Sequence, residues 1–327
     1  MSYKDIPELM EHLNANGIHI SGEHQKRQLM NTGYFHGYKG YRFFQKSNNR
    51  IPFSNYDEVY RTIQYDSYLK SLFYPQIMFI ETSVKNIALN CIMDAANSEN
   101  IQEMCNQVIC SYSNCPQGAN ALKIQENKLK LENKIHSALF EAYKNKNPKI
   151  THFYNNMSYM GAPLWALFEI LTLGDFAFLL SCLTYNTRDA ISKELGLNVI
   201  STDTNRELIY KYIYTLKDLR NAIAHNDVIF DTRFRKIDPS PAMKACLCQE
   251  FTLPYVNFKT LGDYLFLVCY YLKILGIPSK EILSFLYNFE NITNEYTRSV
   301  SRQVSSIVIH PDLPSRTTLV KKEFEQH

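Results

Sequence analysis

A single tryptophan stands against 23 tyrosines and 19 phenylalanines in a chain of 327 residues, and few other features of the sequence run to an extreme. The net charge is only +3. That is too little for whole-domain electrostatic capture of nucleic acid, so any RNA surface has to be a local patch. No Gly-rich phosphate loop and no nucleophile elbow occurs, which removes the commonest nucleotide-binding and serine-hydrolase signatures. There is neither an internal repeat nor a low-complexity tract, so repeat arrays are not expected. The eight cysteines include no CxxC pair with a matching His. Cys105, Cys110 and Cys115 fall at x4 intervals and Cys246 and Cys248 form a CxC, so no metal is expected and reduced thiols of a cytoplasmic protein are the simplest reading. The start, MSYKDIPELMEHL, lacks a basic segment followed by an apolar run, so no secretory signal is expected. No motif implies a cofactor.

What is present is helical periodicity in a chain that is 45% hydrophobic, enough to bury a large core. An all-α fold is expected. Residues 1–55 read as a small N-terminal module: a helix around 6–16, a stop at Gly17, then a short helix ending in GYFHGYKGYRFF, whose glycines argue against a long helix. Lys39 and Arg42, set among Tyr38 and Tyr41, are candidate contacts to RNA phosphates and bases. The competing reading is that these aromatics anchor the module to the main body. Residues 56–290 form the expected main helical domain, and 291–327 a polar C-terminal extension draped over it.

Asn55 is a plausible N-cap for a helix over 56–97 that Pro75 should kink or split. Glu81 lies inside the apolar run of that helix and needs a partner, with Arg220 a candidate, unless it points to water. Residues 119–147 read as a helix in which Lys outnumbers Glu, either a solvated face or a contact for RNA. Residues 163–185 are nearly long enough to span a bilayer. Glu169 and Asp175 interrupt them and Gly174 sits at their middle, so a buried helix pair is expected and no membrane partner. A short helix around 188–195 and capping residue types at 201–205 precede a long helix near 205–226. Residues 228–256 then leave helical periodicity and hold three prolines. They form an irregular insertion that admits one or two short strands.

The stretch 208–227, LIYKYIYTLKDLRNAIAHND, carries the most chemistry. Ile209, Tyr212, Ile213, Leu216, Leu219 and Ile223 make the apolar stripe of an amphipathic helix, while Asn226 and Asp227 favour ending it. Beside the stripe lie Arg220, Asn221 and His225. A histidine can relay a proton to or from a ribose hydroxyl, and an arginine fork stabilises charge growing on a phosphate. Such a group suits RNA cleavage without a metal, with Asn221 holding the imidazole or the phosphate. The competing reading is an ion-paired Arg and a solvent-facing His near a helix end. At about 100° per residue, Asn221 and His225 stack on one side, whereas Arg220 projects about 140° round from His225. The two converge if the helix end unwinds, or if a second copy of the helix faces the first across a two-fold axis.

RNAIAHN resembles the Arg-x4-6-His signature of HEPN-domain ribonucleases, with the polar residue that commonly follows the Arg present as Asn221. LMNTGYFHGYKGYRFF (29–44), FSNYDEVYRTIQYDSYLKSLFYPQIMFIETSVKN (53–86) and APLWALFEILTLGDFAFLLSCL (162–183) are similar, in that order, to blocks of the Abi-like abortive-infection proteins of the AbiD and AbiF type. The resemblance spans about residues 7–235. It implies an all-α, HEPN-like bundle, distant kinship with the RNA-cleaving domains of type VI CRISPR effectors, and a role in phage defence or a toxin-antitoxin system. Some members are associated with a small noncoding RNA. The expected function is therefore a metal-independent endoribonuclease, acting as a homodimer on RNA and restrained by a noncoding RNA. The alternative is an RNA-binding module that uses Arg220 and His225 for phosphate contacts without cutting.

Overall fold

The computed structural model describes residues 4–115, 118–156, 161–197, 201–236 and 238–325, and every regular element among them is helical. In chain order these are α1 (Ile6–Ala15), α2 (Gly22–Thr32), a π-helical stretch Gly33–Lys39, α3 (Tyr56–Ala96), α4 (Ile101–Gln107), a 3-10 turn Tyr112–Asn114, α5 (Ala121–Lys144), α6 (Pro148–Asn155), α7 (Leu164–Ile170), α8 (Leu173–Cys182) and α9 (Tyr185–Glu194). They are followed by α10 (Leu208–Ala224), α11 (Pro241–Glu250), α12 (Leu261–Ile274), α13 (Ser279–Ser299), α14 (Arg302–Val308) and α15 (Leu313–Glu325). The all-α fold expected from periodicity is the fold observed.

The chain divides into two compact units. One comprises Met1–Ile77, Asp218–Pro239 and Leu247–His327; the other comprises Met78–Lys217 and Ser240–Cys246. In the first unit the opening residues of α3 are capped as expected, Asn55 Oδ1 accepting from the Glu58 N–H at 3.0 Å. Phe73, fully buried on α3, meets the rings of Phe285 and Phe289 edge-on at 5.7 and 6.3 Å. Tyr65 stacks on Tyr296 at 4.3 Å, and Thr62 shares a hydrogen bond with the Tyr296 hydroxyl at 2.9 Å. This packing bears on Pro75. The proline lies inside an α3 that runs unbroken for 41 residues, so of the expected kink or split the split does not occur. Pro75 removes one N–H from the ladder, but Phe73 and Ile77, one turn apart and both buried, hold the helical face across it.

The second unit is built on α5, whose Leu131, Ile135 and Leu139 are buried, and on the expected pair of buried helices α7 and α8. Thr172 caps α8 by accepting the Asp175 N–H at 3.1 Å. Glu81 does not point to water. It is 7% exposed, and Lys85 Nζ reaches it at 2.9 Å while also donating to the Leu171 carbonyl at 2.7 Å.

One expectation is corrected. No strand forms within the described residues of 228–256, where α11 occupies Pro241–Glu250. The reason is that buried carboxylates satisfy the backbone of this region in place of a neighbouring strand. Asp66 Oδ1 accepts from the Ile229 and Phe230 N–H groups, each at 2.9 Å, and just beyond the region Asp263 Oδ2 accepts from the Asn257 and Phe258 N–H groups at 3.0 and 2.7 Å. The polar C-terminal region is also helical: α13 continues to Ser299, and α14 and α15 follow. Leu313, Thr317, Val320 and Phe324 are buried at helical spacing on α15. Arg316, 2% exposed, pairs with the fully buried Asp263 and lies over the Tyr255 and Phe266 rings at 4.4 and 5.0 Å.

Glu58 ties the start of α3 to the C-terminal helices through Ser301. Its carboxylate accepts the Ser54 and Ser301 N–H groups, each at 2.8 Å. Burial pushes this carboxyl up, but the hydrogen bonds from Ser54 and Ser301 outweigh it and hold the group below the usual carboxylate range. A carboxyl depressed in the folded state stabilises above its unfolded pKa, and that contribution is lost as pH falls through the folded value. Glu58→Gln is therefore expected to cost about 1.5–3 kcal/mol near neutral pH, with the difference shrinking below about pH 4 as the wild-type carboxylate is protonated. Urea unfolding of both proteins across that range measures it; a pH-independent difference would contradict the assignment.

Candidate functional site at the C-terminal end of α10

The stripe that shapes α10 is buried as expected at Ile209, Tyr212, Ile213, Leu216 and Leu219, with Ala222 buried beyond them. Ile223 is half-buried. At the N-terminal end, Asp203 supplies the capping chemistry expected of 201–205, accepting the Glu207 and Leu208 N–H groups at 2.7 and 3.3 Å. At the other end the helix does not unwind. The His225 N–H still donates to the Asn221 carbonyl at 2.9 Å. Asn226 then turns left-handed, φ 56°. Its N–H donates to the Ile223 carbonyl at 3.1 Å and the Asp227 N–H to the Ala222 carbonyl at 2.8 Å, a closure that suits Asn because its short polar side chain tolerates positive φ.

The three motif side chains are thereby placed. Arg220 and Asn221 are half-buried and joined, Arg220 Nη1 donating to Asn221 Oδ1 at 3.1 Å. His225, at the cap position, is exposed. The structure brings Arg220 and Asn221 together and leaves His225 one turn on, open to solvent.

Two residues that the sequence did not single out, Lys70 and His36, converge on the same end through Asn226. Asn226 Oδ1 accepts from Lys70 Nζ at 2.9 Å, and Asn226 Nδ2 lies 3.0 Å from Nε2 of His36 on the π-helical stretch. Lys70 is paired in turn with Asp66 at 2.7 Å, the carboxylate having no solvent exposure and the lysine side chain little. Asp66 also accepts the Tyr41 hydroxyl at 2.8 Å and the Ile229 and Phe230 N–H groups, each at 2.9 Å. Burial, reinforced by the Asp66 charge, pushes the Tyr41 phenol far above its ordinary value, so it is a permanent donor. A signal for Asp66 was available. It stands in the apolar run of α3, as Glu81 does, and a carboxylate there requires partners; Lys70 follows one turn later.

Of the residues proposed in the N-terminal module, Lys39 places its ammonium over the rings of Phe35 and Tyr34 at 4.6 and 5.2 Å, and Phe35 is 70% exposed. Arg42 is half-buried, its carbonyl accepting the Ile51 N–H at 3.0 Å. Tyr38 and Tyr41 are buried and act as anchors. Arg233 adds to the anchoring by donating to the Gly40 and Phe43 carbonyls at 2.7 and 2.6 Å, with its guanidinium 4.3 Å from the centre of the Phe43 ring.

The eight cysteines are free. Burial pushes the Cys105 and Cys182 thiols up to about 11, which makes them poor nucleophiles at neutral pH. Among the described residues no group of three or more His, Cys, Asp or Glu side chains is arranged to hold a metal ion, and no helix is long and apolar enough to cross a membrane.

Every regular element among the described residues is helical, and Arg220, Asn221, His225 and Asn226 lie at or beside the capped end of α10. The chain belongs to the Abi-like family, the model of which matches residues 27–231, and is thus an abortive-infection protein. No curated protein and no solved structure matches it. The matched segment contains Tyr41, Asp66, Lys70, Arg220, Asn221 and His225.

Removing the Asp66 carboxylate leaves a largely buried ammonium uncompensated and two backbone amides without acceptors. Asp66→Ala is expected to lower unfolding stability by about 3–5 kcal/mol, read as a fall in urea midpoint. A change under about 1 kcal/mol would show that the pair behaves as a surface ion pair.

Proposed function

We propose that the chain is a metal-independent endoribonuclease of the HEPN kind, serving as the toxin of a phage-defence or toxin-antitoxin system and restrained by a partner such as a noncoding RNA. The observation that carries this reading is the pairing of Arg220 with Asn221 one turn before an exposed His225 in an all-α, Abi-like chain. In the proposed reaction His225 moves a proton between the ribose 2′-hydroxyl and the leaving 5′-oxygen. The O2′–P bond forms and the P–O5′ bond breaks, leaving 2′,3′-cyclic phosphate and 5′-hydroxyl ends. The Arg220 guanidinium stabilises the charge that grows on the phosphate, and Asn221 orients it.

The unbroken helix supports a homodimer in this reading. With α10 wound to Ala224, Arg220 and His225 project about 140° apart. A two-fold axis near Asn221 sets each His225 beside the Arg220 side chains of both copies. The rival reading is a module that binds RNA through the same surface without cutting.

Purified protein incubated with RNA in EDTA is expected to cleave it to 2′,3′-cyclic phosphate ends, with His225→Ala slower by about 10²–10⁴-fold. Mixing Arg220→Ala with His225→Ala protein should restore part of the activity. Tight binding with no cleavage under any condition supports the binding module instead, and a strictly monomeric active species overturns the two-fold arrangement.

A further inference from the structure

His36 has no part in the reaction above, yet its ring nitrogen meets the residue that follows His225. The protonation of that ring can be read from its neighbours. Asn226 Oδ1 lies 2.9 Å from Lys70 Nζ. An ammonium offers only hydrogens, so the amide oxygen faces Lys70 and the amide NH₂ faces His36. An NH₂ group donates and does not accept. Nε2 of His36, 3.0 Å away, therefore accepts, and the ring carries its proton on Nδ1. The relay is held from inside: Lys70 is fixed by Asp66 at 2.7 Å, whose carboxylate has no solvent exposure. The charged groups linked to the ring through Asn226 are Lys70 and Asp66 on α3; in sequence, Lys39 follows on its own π-helical stretch, and His225 and Asp227 flank Asn226. His36 itself is exposed.

We propose that His36 is a further RNA-binding residue of this site: an imidazole whose Nε2 accepts from Asn226 and whose Nδ1–H is presented to a non-bridging phosphate oxygen of the RNA strand. The proposal rests on the RNA reading of the Arg220 and His225 surface. No proton is transferred at His36. Nε2 is occupied by the Asn226 amide, so Nδ1–H is the donor the ring presents, and proton transfer is left to His225. The arrangement also accounts for Asn at position 226. Glycine would suit the positive φ as well, but it has no side chain to accept from Lys70 and donate to His36.

Two measurements test it. Long-range ¹H–¹⁵N spectra of imidazole-labelled protein near neutral pH should show His36 as the Nδ1–H tautomer. In Asn226→Asp, where a carboxylate accepts instead of donating, the Nε2–H form should appear. A wild-type ring with its proton on Nε2 overturns the proposal. For binding, fluorescein-labelled oligouridine is titrated onto His225→Ala protein at fixed salt, with and without a His36 change. His36→Leu should weaken binding about tenfold, the worth of one hydrogen bond to a charged group. His36→Asn, which carries an amide N–H close to the Nδ1 position, should stay within about threefold of the parent, well inside the spread of a neutral hydrogen bond. Unchanged affinity in His36→Leu removes the His36 contact alone, provided the parent binds RNA. A parent that binds no RNA removes the reading of the whole site with it.

Discussion

A carboxylate with no solvent exposure has to draw its hydrogen bonds and its countercharge from the chain around it, and Asp66 draws them from three separate stretches. Lys70 comes from its own helix, Tyr41 from the segment that follows the π-helical stretch, and the Ile229 and Phe230 amides from the segment that leaves α10. The arrangement around the candidate site depends on this one group. Lys70, held by Asp66, holds Asn226; Asn226 closes α10 and reaches His36. The cost of burying such a pair largely cancels its attraction, so its main effect is on geometry: an alternative path for the chain after His225 would strand a charge.

The same device recurs through this unit. Asp263 takes the Asn257 and Phe258 amides as well as Arg316. Asp231, with no exposure, takes the Gln45 amide at 2.6 Å and the Arg233 guanidinium. Glu58 takes Ser54 and Ser301. An unsatisfied buried amide costs about 1–3 kcal/mol, so irregular backbone survives inside a helical protein only where acceptors of this kind are supplied. Here the acids are the acceptors, and no sheet is needed.

The functional consequence lies in what is left outside. The stripe of α10 commits Leu216 and Leu219 to the core, while the cap position exposes His225. A left-handed Asn226 ends the helix abruptly and frees its side chain to bridge Lys70 and His36. Arg220, half-buried beside Asn221, combines a fixed guanidinium with an accessible imidazole one turn away. The family match ends at residue 231, so it takes in the helix, its cap and the two amides bound by Asp66.

Helical periodicity alone determined the all-α fold, the pair of buried helices at α7 and α8, the stripe of α10 and its end at Asn226, because each is a local pattern of apolar spacing and capping chemistry. Composition misled where tertiary contacts outweighed local preference. Pro75 sits within a continuous helix because Phe73 and Ile77 are buried on either side of it. Residues 228–256 carry a helix and acid-capped turns in place of strands. The motif residues Arg220, Asn221 and His225 could be picked out by type and spacing. Their surroundings could not: Lys70 and Asn226 lie 156 positions apart, and His36 and Asn226 lie 190 apart. Spacing rules reach one or two turns of helix, whereas buried charges are satisfied by whatever part of the chain the fold delivers to them.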